Sequence, residues 1–348
     1  MAPQPPATVG PSREIPEPRP GRLPALVRFV RHWGISIGSL VSGVLALFVF
    51  RRDLPHVRWI VGYLLILWLL FAIVTQVRQA LEGRPRGRLV VVAADYTIQT
   101  LYHGVLLFLL PAYWASTTLT SLNVAFFALL VALTILATFD PWYHALVHPR
   151  PWLGLAFFVV SIFATLNLAL PLVGVRPDIG LLLAAWTATV ALAPVVRRAT
   201  TFQWPITVAV LAVVGVGVAG IAHAIRGVVP PAPLALARAT LARDVVDNEP
   251  VDPLPATIPR QQLPGSVIAY TAVVAPAGLS QPIAHVWRQE SAIVNVVPLA
   301  PVRGGRREGY RTYSRKAAFP ADPTGRWSVD VVTTSGQLIG RLRFSVAR

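Results

Sequence analysis

Residues 205–226 read PITVAVLAVVGVGVAGIAHAIR, and the character of the chain changes where this stretch ends. The stretch is apolar and long enough to cross a bilayer, because about 20 residues at 1.5 Å each cover roughly 30 Å of hydrocarbon. After Arg226 the sequence becomes rich in proline and then alternates in the manner of β-strands. The chain is therefore expected to join a membrane-embedded helical region to a folded β-domain on one side of the membrane.

Six further apolar runs precede this stretch, so the sequence predicts a bundle of seven transmembrane helices within residues 28–226. The predicted spans are 33–50, 57–76, 89–114, 119–138, 152–175, 179–196 and 205–225. The third holds Pro111, so a kink or a re-entrant turn is expected there. Residues 1–27 are rich in Pro and Arg and are predicted to form a disordered cytoplasmic tail, not a signal peptide.

Composition favours the membrane over other environments. Of the 348 residues, 54% are hydrophobic and only 13% are charged, whereas soluble domains are nearer about 25% charged. The net charge of +16 would suggest nucleic acid in a soluble protein, but here the arginines mostly occupy short loops, so no nucleic-acid partner is expected. The chain has no cysteine, which excludes disulfides, thiolate metal sites and thiol catalysis.

The distribution of arginine predicts the orientation of the spans. With a cytoplasmic N-terminus, twelve arginines lie in cytoplasmic segments and five in outer ones, as the positive-inside rule requires. Seven spans then place the C-terminal domain outside the cytoplasm, in the periplasm of a bacterium. A miscount of one span would reverse that placement.

The third predicted span carries three polar residues spaced four apart: Asp95, Gln99 and His103. This spacing places them on one face of a helix. A charge at the centre of a span costs about 2.5–3.5 kcal/mol on insertion scales, so such a residue usually has a partner or a function. The face is therefore expected to point into the bundle.

A second set with the same spacing follows the fourth span: Asp140, His144 and His148. In the predicted topology both sets lie toward the cytoplasm, so they could meet. Three interpretations stay open: a divalent metal site, a proton or ion pathway, or hydrogen bonds between neighbouring helices. The chain lacks a HExxH string, a nucleophile elbow and a phosphate-binding glycine loop, so no catalytic residue and no cofactor is predicted beyond a possible divalent metal, and enzymatic activity is left open.

Glycines at packing spacing occur in the first and last spans. Gly34 and Gly38 form a GxxxG pair, and Gly215, Gly217 and Gly220 line the seventh span. Small residues let helix backbones approach closely in lipid. They indicate packing within the bundle or, alternatively, a homodimer.

Beyond the last span, residues 227–265 are predicted to be a proline-rich connector. Its stretch ALARATLARDVVDN, residues 235–248, suggests a short interfacial helix. Residues 266–348 are predicted to form a small all-β domain of the immunoglobulin-like sandwich type. The six expected strands are 267–275, 283–289, 292–299, 309–315, 326–334 and 337–346, with a tight turn at Ser335-Gly336.

Aromatic and basic side chains alternate along two of these strands and suggest a binding face. The candidate residues are His285, Trp287, Arg288, Tyr310, Arg311, Tyr313 and Arg315. Aromatic rings beside arginine can bind a sugar, an anionic polymer or a protein partner. The competing interpretation places Trp287 and Trp327 in the core and the arginines on a solvated face.

The strings AYTAVVAP, IAHVW, EGYRTYSRK and GRWSVDVVTTSGQLIGRLRFSV, within residues 267–347, resemble the bacterial domain of unknown function numbered 2914. The motif positions are His285, Trp287, Arg311, Trp327, Gly336 and Phe344. The N-terminal spans resemble the multi-span family of unknown function numbered 5924. The resemblance implies a bacterial envelope protein with an extracytoplasmic β-domain, and it implies no known activity.

The leading hypothesis is a seven-span protein of the bacterial inner membrane that displays a periplasmic sandwich to a protein or glycan partner. A transporter or ion pathway through Asp95, Gln99 and His103 is the first alternative. A metal-dependent membrane enzyme using Asp140, His144 and His148 is the second.

Overall fold

The computed structural model describes residues 88–147 and 149–348. The tail 1–27, the predicted spans 33–50 and 57–76, and the Gly34–Gly38 pair lie outside the described residues. The described part consists of a helical region followed by a two-sheet β-domain.

The helices begin and end close to where the sequence predicts them. They are α1 (Arg88–Ala115), α2 (Val124–Thr138), α3 (Pro151–Leu172), α4 (Pro177–Val190), α5 (Ala193–Ala199) and α6 (Trp204–Ala224). Prolines stand in the first turns of α3 to α6, where a missing N–H costs nothing. Pro111 lies inside α1, which continues to Ala115, so the re-entrant turn expected as one alternative does not interrupt the helix there.

Among the residues described, three helices are long and apolar enough to cross a membrane. They are Pro151–Leu172, Pro177–Arg197 and Trp204–Ala224. A fourth span results if Val124–Thr138 and Asp140–Val147 are counted together, although the two are bent by 99°. These apolar helices indicate a membrane protein.

The segment Asp140–Val147, called the elbow below, follows α2 directly. It starts as one turn of α-helix and continues as a π-helical turn from Tyr143 to Val147. Tyr143 and Val147 are buried, and the ring of Tyr143 meets Phe157 of α3 edge to face at 5.8 Å. The elbow therefore packs against the next helix instead of continuing the line of α2.

Gly215 explains the close approach of α4 and α6. A Cβ added there would lie 2.9 Å from the ring of Trp186, whose indole N–H donates to the carbonyl of Ala212 at 3.1 Å. A Cβ on Gly217 or Gly220 would meet nothing within 4 Å. Of the three glycines predicted to pack in the seventh span, Gly215 is therefore the one that allows a close helix–helix contact within the chain.

The β-domain contains two sheets. The strands are β1 (Ala235–Val246), β2 (Glu249–Pro253), β3 (Thr257–Pro259), β4 (Val267–Val274), β5 (Ser280–Gln289), β6 (Ala292–Arg303), β7 (Tyr310–Lys316), β8 (Gly325–Thr333) and β9 (Leu338–Ala347). One sheet has the order β2-β1-β4-β7 and the other the order β3-β9-β8-β5-β6. The pairs are antiparallel except for β3 with β9.

All six predicted strands are present, and the predicted turn at Gly336 has the positive φ of 89° that favours glycine. The prediction of a connector with an interfacial helix over 235–248 was wrong. That stretch is β1, which pairs with β4 from Ala235 to Ala242 and buries Leu241. The β-domain therefore begins about thirty residues before position 266, as β1 to β3 complete the two sheets.

Aromatic side chains from the five-stranded sheet fill the space between the sheets. Trp287, Trp327 and Phe344 are buried together with Val267 and Ala269 of the opposite sheet. The rings of Trp327 and Phe344 are stacked, with centroids 5.8 Å apart. This shared core makes the domain a sandwich.

The sandwich rests on the helical region through several loops. Asn123 donates to the carbonyl of Leu338 at 3.5 Å, and Arg341 donates to the carbonyl of Thr120 at 3.3 Å. Beyond α6, the Arg226 guanidinium donates to the carbonyl of Ser335. The loop between α1 and α2 and the end of α6 therefore lie on the same side, as helices that alternate in direction require.

Candidate functional site

The two predicted polar sets of the helical region do come together, through Gln99 and Asp140. The Gln99 amide donates to Asp140 Oδ1 at 2.5 Å and to the carbonyl of Ala137 at 3.2 Å. Gln99 is buried, and Asp140 opens the elbow at the end of α2. A buried amide thus fixes the point where α2 stops and the chain turns.

One helical turn along α1, His103 makes the same kind of contact. Its Nδ1 lies 2.8 Å from Thr138 Oγ1, and the Thr138 hydroxyl donates to the carbonyl of Thr134 at 2.7 Å. Since that hydroxyl proton is already used, Thr138 accepts from His103, and Nδ1 carries the proton. Both polar side chains of α1 therefore tie it to the last turn of α2.

Among the residues that the structure describes, the remaining members of the two sets form no metal site. The Asp95 side chain and His148 lie outside the described residues, and His144 is exposed at the elbow. Among the residues described, no three His, Cys, Asp or Glu side chains come close enough to hold a metal ion. The arrangement shown is hydrogen bonding of α1 with the last turn of α2 and with the elbow.

In the β-domain, the prediction that His285 and Trp287 belong to a binding face was wrong, because both are fully buried between the sheets. His285 Nε2 lies 2.9 Å from Thr271 Oγ1, and Nδ1 lies 2.8 Å from Ser314 Oγ. Ser314 also accepts the indole N–H of Trp287 at 3.0 Å. Burial lowers the pKa of His285 to about 4, so the ring is neutral and joins the two sheets.

The other predicted residues divide between the two sheets, and all except Tyr310, which packs against the core between the sheets, face outward. Arg288 lies on the five-stranded sheet and donates to Asp330 at 3.1 Å. Tyr310, Arg311, Tyr313 and Arg315 lie on β7 of the four-stranded sheet. The seven residues therefore do not form one face.

Asp330 was missed by sequence reasoning, although it is a buried carboxylate. Arg341 donates two hydrogen bonds to it, at 2.5 and 2.9 Å, and this contact raises the pKa of Arg341. The sequence feature that could have indicated Asp330 is its place in the apolar run SVDVV, residues 328–332. It lies on the opposite face of the strand from Trp327 and Val329. Its partners depended on the strand register, which pairs Asp330 with Arg341 on β9.

The β1–β2 hairpin folds over part of the outer surface of the four-stranded sheet. The carboxylate of Glu249 reaches Arg238 at 3.0 Å and Arg311 at 2.7 Å, although β4 lies between β1 and β7. The hairpin therefore bends across the sheet. Tyr270, which points outward because Thr271 points to His285, is only 1% exposed, with the Arg238 guanidinium 5.6 Å from its ring centroid.

A groove of about 640 Å³ lies between the tip of this hairpin and the β6–β7 loop. We call it the arginine groove; it is lined by Asp247, Asn248, Arg306, Arg307, Glu308, Gly309, Tyr310 and Arg311. The Arg306 guanidinium lies 5.3 Å from the centroid of the Tyr310 ring, and Glu308 pairs with Arg311 at 2.7 Å. Three arginines and one aromatic ring thus border an open concave surface that suits an anionic ligand.

Of the predicted face, Tyr310 and Arg311 line this groove, whereas Tyr313 and Arg315 lie farther along β7. Arg315 pairs with Asp244 of the hairpin at 2.8 Å. Arg306 and Arg307 were not among the predicted residues, because they precede the strand pattern and stand in a loop. The basic run RGGRRE, residues 303–308, is the sequence feature that could have indicated these two arginines.

Comparison with known proteins places the helical region and the sandwich in two families. Residues 22–264 match the family of unknown function DUF5924, and the chain belongs to that family. Residues 280–346 match the family of proteins of unknown function DUF2914. No curated protein and no solved structure matches the chain.

Both resemblances expected from the sequence are thereby confirmed. The first match extends to residue 264 and so includes β1, β2 and β3 of the sandwich. The boundary between the two families therefore falls inside one folded domain.

Proposed function

We propose that the protein is a seven-span protein of the bacterial inner membrane that holds an immunoglobulin-like sandwich in the periplasm, where the arginine groove binds an anionic envelope ligand or partner. The groove carries the proposal, because it is a concave surface with arginines and an aromatic ring at its border. In the helical region, in contrast, Gln99 is hydrogen-bonded to Asp140 and His103 to Thr138. The helices then serve as an anchor and a platform.

A crosslinking experiment in intact cells tests ligand or partner binding. A photoreactive phenylalanine analogue is placed at Asn248 in the groove or at Gln262, which is exposed at the opposite end of the sandwich. We expect light-dependent adducts at Asn248 that disappear when Arg307 is replaced by Glu, and no adducts at Gln262. Equal adducts at both positions, or none at either, would contradict binding in the groove.

The orientation can be tested directly because the chain has no cysteine. The sandwich contacts the α1–α2 loop at one end of the helices. Thr201, between α5 and α6, lies at the other end, away from the sandwich. With a membrane-impermeant maleimide, we expect Asn248→Cys to be labelled in cells whose outer membrane is permeabilised, and Thr201→Cys only after lysis. The reverse pattern would place the sandwich in the cytoplasm.

A second function, a proton or ion pathway, is favoured by one observation. The Gln99–Asp140 contact stands where α2 ends and the elbow turns by 99°, and breaks of this kind mark ion sites in transporters. In proteoliposomes containing a pH-sensitive dye, an ion pathway predicts that Asp140→Asn and Asp95→Asn abolish a flux that the unaltered protein supports. Absence of flux with the unaltered protein, or a flux unchanged in both variants, would exclude this function.

A further inference from the structure

The arginine groove lies at the end of the sandwich that faces the candidate spans. Gly174 follows the end of the span Pro151–Leu172, and a Cβ placed on it would be 3.8 Å from the carbonyl oxygen of Gly278. Gly278 belongs to the β4–β5 loop. That loop therefore rests directly on the end of a candidate span.

The arginine-bearing β6–β7 loop is the immediate neighbour of this resting loop. The Gly305 N–H donates to the carbonyl of Ala275 at 3.0 Å, and Arg306 is the next residue. Neighbouring strands are spaced about 4.8 Å apart, so Arg306 stands about one strand spacing from the β4–β5 loop that contacts the end of the span. The polar headgroups add roughly 5–7 Å to each side of the hydrocarbon, so a groove that lies two contacts beyond the end of the span is at the outer edge of the headgroup layer.

The charge of this loop is strongly positive. Between positions 303 and 311 the sequence holds Arg303, Arg306, Arg307 and Arg311 against a single acid, Glu308. That acid pairs with Arg311, which also pairs with Glu249, and the hairpin adds one acid, Asp247, to the lining of the groove. Arg303, Arg306 and Arg307 are exposed, and a planar guanidinium matches the oxygens of a phosphate group.

We infer that the arginine groove binds the phosphodiester group of an anionic lipid headgroup in the leaflet nearest the sandwich. The inference rests on the proposed function and names its ligand class. Arg306 and Arg307 supply the charge, and Tyr310 holds the Arg306 guanidinium in place. The groove thereby fixes the sandwich against the membrane surface as well as against the helices.

Native mass spectrometry of the full chain in detergent micelles tests this. The probes are dioleoylphosphatidylglycerol, dioleoylphosphatidylcholine and, as soluble phosphates, glycerol 3-phosphate and inorganic phosphate. Each basic residue near an anionic surface contributes about fivefold in affinity, so we expect Arg306→Gln with Arg307→Gln to weaken phosphatidylglycerol binding about thirtyfold. A control with the same loss of charge, Arg343→Gln in the middle of β9 together with Arg348→Gln just after the strand, keeps the affinity.

The outcomes separate the two sources of phosphate. Saturable binding of glycerol 3-phosphate as tight as that of phosphatidylglycerol, lost in the groove variant, would mean that the ligand is a free phosphate ester and would overturn the lipid assignment. Equal affinity for phosphatidylglycerol in the groove variant and the control variant would overturn the inference. Crosslinked adducts at Asn248 in that second case would show that the groove binds something else and that the proposed function survives.

Discussion

The neutral histidine between the two sheets makes the stability of the sandwich depend on pH. His285 is fully buried, and burial lowers its pKa from 6.5 to about 4. Between these values the unfolded chain binds one more proton at this site than the folded chain, so stability is complete above pH 6.5 and falls as the pH falls toward 4. The difference between the two pKa values corresponds to about 3 kcal/mol in full, and to about 2 kcal/mol between pH 7 and pH 5.

Hydrogen–deuterium exchange of the full chain in nanodiscs measures this loss locally. Peptides from β4 and β5 report the free energy of opening once rates are corrected for the intrinsic exchange at each pH. We expect their protection to fall about 25-fold between pH 7 and pH 5.

The matched control is His285→Leu with Thr271→Val, which removes the titrating ring and the hydroxyl that would lose its partner. It leaves the bond between Trp287 and Ser314. Its protection is expected to be lower at pH 7 but much less dependent on pH. A wild-type sandwich with the same pH dependence as this variant would refute the reasoning.

Three further predictions concern packing, the domain boundary and the buried carboxylate. Gly215→Ala places a Cβ against a tryptophan ring and should destabilise the helical region by about 1–3 kcal/mol, whereas Gly217→Ala should leave the thermal unfolding in detergent unchanged. The fragment 266–348 lacks β1 to β3 and should show no cooperative unfolding by circular dichroism, whereas 229–348 should; cooperative unfolding of the shorter fragment would contradict the boundary. Asp330→Ala leaves two arginines without their carboxylate and should lower the stability of the sandwich by about 3 kcal/mol in the same exchange assay, and an unchanged value would count against a structural role.

Six strands were predicted from the alternation of polar and apolar residues, and all six are present in the structure. The missed strand β1 shows the limit of this reasoning. The stretch ALARATLARDVVDN consists largely of residues with high helix propensity, yet β1 pairs with β4 and buries Leu241 in the core. Propensity is a weak preference that tertiary pairing overrides, and no local pattern indicated the pairing.

The candidate sites, like the strands, were predictable from the sequence only in part. The contact between Gln99 and Asp140 was expected from the helical spacing and from the order of the spans, and both can be read from the sequence. His285 and Trp287 were assigned to a surface because alternation shows that two residues share a face but not which face is buried. The arginine groove depends on a hairpin that bends across a sheet, and only the folded chain brings Asn248 near Arg306.

The seating of the sandwich on the helices has a consequence for biogenesis. The sandwich is synthesised after the helices that precede it, and its contacts with Thr120, Asn123 and Arg226 connect it to helices inserted at different times. The sandwich can dock only after all of those helices have been inserted in their final orientation. A chain with one span inverted is therefore expected to carry a folded sandwich that does not contact the helices and that added protease cleaves more readily.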